Sequence, residues 1–154
     1  MKTRRRRYAP FLLCLTLFPS AVGAQDRFDE TVVVTGSTAP TSLAETGRAL
    51  SIVTKEEIAE LPVLSLADAV RVAPWVQVRA RGEQGMQTDF SLRGATVAQT
   101  LVLVDGVRVN DAQTGHHTGD IPVPLDDVER IEILYGPGSA QPGADAFGGI
   151  INVL

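Results

Sequence analysis

The chain of 154 residues has a single cysteine, Cys14, and it lies within the first 24. If that segment is removed, no disulfide can brace the remainder and no thiolate is left for nucleophilic or redox chemistry. Aromatic residues are also scarce, at 5%. Only Phe28, Trp75, Phe90, Tyr135 and Phe147 follow residue 24. A small membrane barrel would need aromatic girdles and repeated segments of about ten alternating residues, and neither is present. Beyond residue 24 no apolar run reaches the roughly 18 residues of a transmembrane helix. Positive charge is short as well: after residue 24 there are nine basic residues against 18 acidic ones, a net charge of −9. That balance argues against nucleic acid or anionic lipid as the main partner. Read alone, this part of the chain is soluble.

Residues 1–24 have the make-up of a cleaved export signal. Lys2 and Arg4 to Arg7 form a basic start, Tyr8 to Phe18 an apolar core too short to span a bilayer, and Val22 to Ala24 a run of small residues for a signal peptidase. The structural alternative is an N-terminal anchor helix, which the short core and the cleavage site disfavour. Cys14 lacks a lipobox context, so no lipid anchor is expected. The 130 residues that remain suffice for one domain with a modest core.

Enzymatic signatures are missing. Gly138 and Gly143 in "GPGSAQPGAD" are spaced like a phosphate loop but lack its Lys and Ser/Thr. There is no Gly-x-Ser-x-Gly elbow. His116 and His117 are adjacent, so in extended chain their rings point to opposite faces and chelate one metal poorly. A solvated pair is the expectation. Asp105, Asp111 and Asp120 could offer oxygens to calcium, but Asp105 is expected to serve a turn and the others to be solvated. No catalytic residue, metal site or cofactor site is assigned.

What is present is a series of short, well-punctuated elements. "ETVVVTG", Glu30 to Gly36, is a β-branched run standing alone in polar, turn-rich surroundings. Ala49 to Thr54 reads as a strand. Thr54 and Glu57 form a capping box for a brief helix stopped by Pro62. Ser65 and Asp68 repeat that signature, and Leu66, Ala69, Val70 and Ala73 form an apolar stripe that Pro74 ends. "WVQVRARG" alternates, with Val76, Val78 and Ala80 on one face. "FSLRG" is a short strand. "TLVLVDGVRVND" is a doubly buried strand, a type I′ turn at Asp105-Gly106 and a returning strand. After the polar loop "DAQTGHHTGD", "PLDDVERIEILYG" reads as a turn of helix leading into a strand over Ile131 to Tyr135. A final apolar strand ends at Leu154. The fold class is α+β, a small mixed β-sheet with short helices.

Several of these blocks, in order, resemble one family: "ETVVVTG", "SLADAVRVAPWVQV", "FSLRG", "LVLVDGVRVND", "VERIEILYGPGSA" and "GADAFGGIINVL". Together they resemble the plug domain of TonB-dependent outer-membrane receptors, closest to the cobalamin and siderophore receptors, over essentially all of Glu30 to Leu154. The resemblance implies a flexible leader over 25–42 and a plug over 43–154. Glu30, Thr31, Val32, Val33, Val34, Thr35 and Gly36 would form a TonB box, which extends into the periplasm and adds as a strand to the TonB C-terminal domain. The β-branched run would then lack a partner because its partner is another protein, the alternative being an edge strand of the plug's own sheet. The plug would sit inside a β-barrel of about 22 strands, with "GEQGMQT" and "DAQTGHHTGD" facing the substrate or the wall. Arg93 matches an arginine that faces acidic residues of the barrel, the alternative being an exposed arginine at a strand end.

Three departures stand out. Tyr135 occupies a position where the family usually has arginine, "APWV" stands for "LPGV", and "QPGAD" for "LYGAD". The barrel is not in this sequence. The expected function is gating of energised uptake of a large chelate, cobalamin or ferric siderophore, at the outer membrane when joined to a barrel. A chain complete as given would instead be a periplasmic plug-like binding or regulatory module, or a truncated receptor fragment. The DNA after codon 154 distinguishes the three.

Overall fold

A computed structural model describes residues 31–32, 41–42, 48–83, 86–137 and 146–154. The expected export signal over 1–24, Glu30 and Val33 to Gly36 of the expected box, and the glycine-rich stretch 138–145 lie outside the described residues.

Strands β1 (Thr31–Val32) and β2 (Thr41–Ser42) pair antiparallel, Thr31 opposite Ser42 and Val32 opposite Thr41. β3 (Leu50–Thr54) runs directly into α1 (Lys55–Glu60). The capping box forms as the sequence implies: Thr54 Oγ1 accepts from Glu57 N–H at 3.3 Å, and Glu57 Oε2 accepts from Thr54 N–H at 3.0 Å. Leu61 is extended, the conformation that a residue before proline is forced into, so the helix stops. Ser65 caps α2 (Leu66–Arg71) by accepting from Asp68 N–H at 3.2 Å. Leu66, Ala69, Val70 and Ala73 are buried, so the stripe is core.

β4 (Val76–Ala80) and β5 (Thr88–Leu92) form a separate antiparallel hairpin. Gln77 and Arg79 face solvent while Val76 and Val78 are half-buried, but Ala80 is exposed at the loop end, where the expected alternation runs out. β6 (Thr100–Val104) and β7 (Val107–Arg108) are joined by Asp105 and Gly106, with φ of 49° and 76°. Positive φ at both positions is what a type I′ turn requires. A 3-10 turn at Leu125–Asp127 precedes β8 (Arg130–Tyr135), and β9 (Gly149–Val153) is last.

The main sheet has the order β3-β8-β9-β6-β7. β9 lies antiparallel to β8 and parallel to β6, so the sheet is mixed. One face carries Val53, Val102, Ile131, Ile133, Ile151 and Val153, and packs with α2 and with Phe90 and Leu92 of β5. The other carries Leu101, Leu103, Leu134 and Ile150, which cluster with Ala146. Burial on both faces explains why "TLVLV" and "GIINV" read as continuous apolar runs. Among the described residues no helix is long and apolar enough to cross a membrane.

Gly149 sits where β9 meets β8, with φ 144°. A Cβ there would collide with the Leu134 carbonyl oxygen and approach Leu92 Cδ1 at 2.6 Å. Gly149→Ala is therefore expected to cost about 2 kcal/mol or more, read as a lower denaturant midpoint at unchanged slope. A variant as stable as the parent would contradict this packing.

Candidate functional site

Three places bear on the function expected from the sequence. The first is the box. The expectation that its run finds no partner in this chain does not hold for Thr31 and Val32, which pair with Ser42 and Thr41. This two-residue ladder is not part of the plug's main sheet. Its hydrogen bonds are local, and so short an isolated ladder is marginal in water.

The second is the polar loop 111–120, which lies along the free edge of β5. Gly119 N–H donates to the Thr88 carbonyl at 2.8 Å, and Phe90 N–H to Thr118 Oγ1 at 2.7 Å. The approach is close because residue 119 lacks a Cβ; one would lie 2.7 Å from Thr88 Cγ2 and 2.9 Å from the Phe90 ring. Asp89, 3% exposed, holds the loop by both oxygens. Oδ1 accepts from His117 N–H at 2.8 Å, and Oδ2 from His116 Nδ1–H at 2.9 Å and Gln87 Nε2 at 3.0 Å. Burial pushes the Asp89 carboxyl up, but these donors outweigh it and hold its pKa below the usual value.

The histidines keep the solvent contact expected of them, with side chains 40% and 47% exposed, but each also meets a carboxylate. His117 has φ 64°, so the chain is not extended there, and its Nδ1 meets Asp120 Oδ2 at 2.6 Å. Each ring is engaged by a different carboxylate. Asp111 is engaged as well: its Oδ1 accepts from Gln113 N–H and its Oδ2 from the Thr114 hydroxyl. The Gln113 and Thr114 donors lower its pKa. Asp105 serves its turn as expected. Among the described residues no group of three or more His, Cys, Asp or Glu side chains could hold a metal. The arrangement clasps a loop; it does not assemble a nucleophile and base.

The third place is Arg93. Its backbone N–H donates to the Trp75 carbonyl at 3.0 Å, extending the β4–β5 ladder by one pair. Its guanidinium carbon lies 5.2 Å from the Trp75 ring centroid and 5.0 Å from that of Tyr135. The two rings meet edge to face, with centroids 5.5 Å apart and planes at 86°. Tyr135 is buried, and its hydroxyl donates to the Pro74 carbonyl at 2.6 Å and contacts Ser51 Oγ at 3.2 Å. Burial raises the Tyr135 pKa, opposed by Ser51 and the Arg93 charge. Sequence reasoning singled out Arg93 and noticed residues 75 and 135 as departures, but not that all three meet. Asp89 carried no sequence signal, because its partners in the loop, His116 and His117, lie 27 and 28 residues away.

Residues 42–150 match the family model described as the TonB-dependent receptor plug domain. The chain belongs to that family. It is 39% identical over 126 residues to a vitamin B12 transporter, BtuB, of Vibrio vulnificus, covering 82% of this chain and 20% of the relative. To an iron-regulated outer membrane virulence protein of Vibrio cholerae it is 35% identical over 158 residues, covering 95% of this chain and 24% of that one. Among solved structures, the siderophore receptor PirA from Acinetobacter baumannii superposes with a TM-score of 0.54 at 32% identity, over 68% of this chain and 16% of the receptor. A mutant of the ferric enterobactin receptor PfeA from Pseudomonas aeruginosa, in complex with enterobactin, gives 0.53 at 32% identity, over 69% and 17%. The plug chain thus spans about a fifth of the length of the curated relatives it matches. The expected α+β class with a small mixed sheet agrees with both the family and these neighbours.

The Asp89 clasp has a pH signature. A carboxyl whose folded pKa lies below its ordinary value contributes stability that is present above that ordinary value and lost as pH falls through the folded pKa. Asp89→Asn is therefore expected to weaken the plug at neutral pH and to flatten its stability profile below about pH 4. Denaturant midpoints from pH 2 to 7 test this; profiles of the same shape for both proteins would contradict it.

Proposed function

We propose that this plug gates energised outer-membrane uptake of a scarce, bulky chelate, cobalamin or a ferric siderophore, and reports ligand occupancy to TonB. The observation that carries this reading is the match over 42–150 to the plug family. The relatives' names support the cargo class: one is a vitamin B12 transporter and another a ferric enterobactin receptor. On this reading the chain acts inside an outer-membrane β-barrel and catalyses nothing.

Glu30 to Gly36 would deliver the signal by strand addition. Main-chain N–H and C=O groups supply the affinity, and the β-branched side chains favour the extended form. The local pairing of Thr31 and Val32 with Ser42 and Thr41 supports an exchange in which a marginal two-residue ladder is given up for a longer one on the partner. Tension arriving through the box would enter the sheet at β3, an edge strand bonded along one side only, to β8. An edge element held by one ladder opens at lower cost than one between two neighbours, which suits a gate.

Replacement of Val33 by proline removes an amide donor and fixes φ. In a pull-down or calorimetric titration with the purified TonB C-terminal domain, Val33→Pro is expected to abolish capture of the processed chain. Undiminished capture would refute the box.

A further inference from the structure

We propose that Trp75 and Tyr135 are positioning residues, a two-ring corner that holds the Arg93 guanidinium ready-oriented to receive a carboxylate. Two observations make the corner a built feature. Trp75 has φ 57° and Arg93 has φ 50°, so both strand ends enter the left-handed region together, where a bulky side chain is an outlier. This chain holds its only tryptophan at the first of these positions, against the backbone preference. The ring it places there faces Arg93 and meets Tyr135 edge to face. Tyr135 is tied down by Pro74 and Ser51, so its ring is a fixed wall.

Among the described residues no carboxylate lies within ion-pair distance of Arg93 and no acceptor takes its side-chain N–H groups. A guanidinium beside two π-systems is attracted by their negative faces, and its donors outside the corner stay open to an anion. The hollow beside it is lined by Val76, Gln77 and Gly94, with Trp75 63% exposed as an apolar rim. The chemistry that fits is a side-chain carboxylate carried on a partly apolar surface. The inference rests on the plug reading only for the source of that carboxylate, the wall that would surround the plug. The chain thus spends two aromatic rings on orienting one cation.

The test uses the processed chain, 15N-labelled, with the Arg93 Nε–H resonance assigned by Arg93→Lys. In the parent the resonance is expected upfield, shifted by the ring currents, and to respond saturably to sodium acetate but not to sodium chloride at equal ionic strength. Trp75→Gly suits the left-handed backbone, so the amide spectrum elsewhere should persist while the resonance moves part of the way to its random-coil position and acetate binding weakens about twofold to fivefold. Tyr135→Phe keeps the ring and should retain the shift. An unshifted parent resonance, or an acetate response unchanged in Trp75→Gly, overturns the proposal. Neither TonB nor a barrel is present in this experiment, so its failure leaves the uptake reading standing, and failure of the Val33→Pro test leaves the corner standing.

Discussion

The fold depends on the insertion of its last strand into the middle of the sheet. Gly149–Val153 bonds antiparallel to Arg130–Tyr135 on one side and parallel to Thr100–Val104 on the other. Without it the sheet is two unconnected antiparallel pairs, β3–β8 and β6–β7. Ile151 is fully buried and Val153 nearly so, and both face α2 and the β4–β5 hairpin; Ile150 faces the opposite cluster. One strand thus joins both halves of the sheet and contributes to both apolar layers. Its pairings are long-range, so the entropic cost of closing the chain falls before the contacts repay it. The Leu154 carbonyl then accepts from Glu129 and Arg130 N–H, closing the end of the ladder.

The parts of this fold legible in the sequence were those written by local rules. Thr54 with Glu57, Ser65 with Asp68, and Asp105 with Gly106 each act within four residues, and each takes the conformation its chemistry implies. The doubly buried strands were legible from their unbroken apolar runs. What stayed hidden was long-range. Nothing around Asp89 announces that it will be buried with two oxygens aimed at a loop more than 25 residues on. His116 and His117 were read as if in extended chain, and the left-handed turn at His117 sends them to separate carboxylates. Trp75 was visible as a departure from glycine, but its meaning requires Tyr135, 60 positions away, at the end of another strand. The pairing of Thr31 and Val32 with the stretch before the globular part was likewise missed, because polar, turn-rich surroundings carry little register information.

These features divide the plug into parts held with different strength. The central strands are covered on both faces and bonded on both sides. β3 is bonded along one side, and the box pair by two residues only. The β4–β5 hairpin stands apart from the main sheet, tied to it by side-chain packing, by Tyr135 bonding to Pro74 and by the ring contacts at Arg93. A domain graded this way can yield at its N-terminal edge while its centre persists.

Loop 111–120 has one more consequence. By lying against β5 it occupies main-chain groups that a bare strand edge would present to any other extended chain. The clasp at Asp89 thus serves as a cap on a sticky border, and slackening it would expose the hairpin to intermolecular strand pairing, so that damaged molecules clump while their central sheet is still intact.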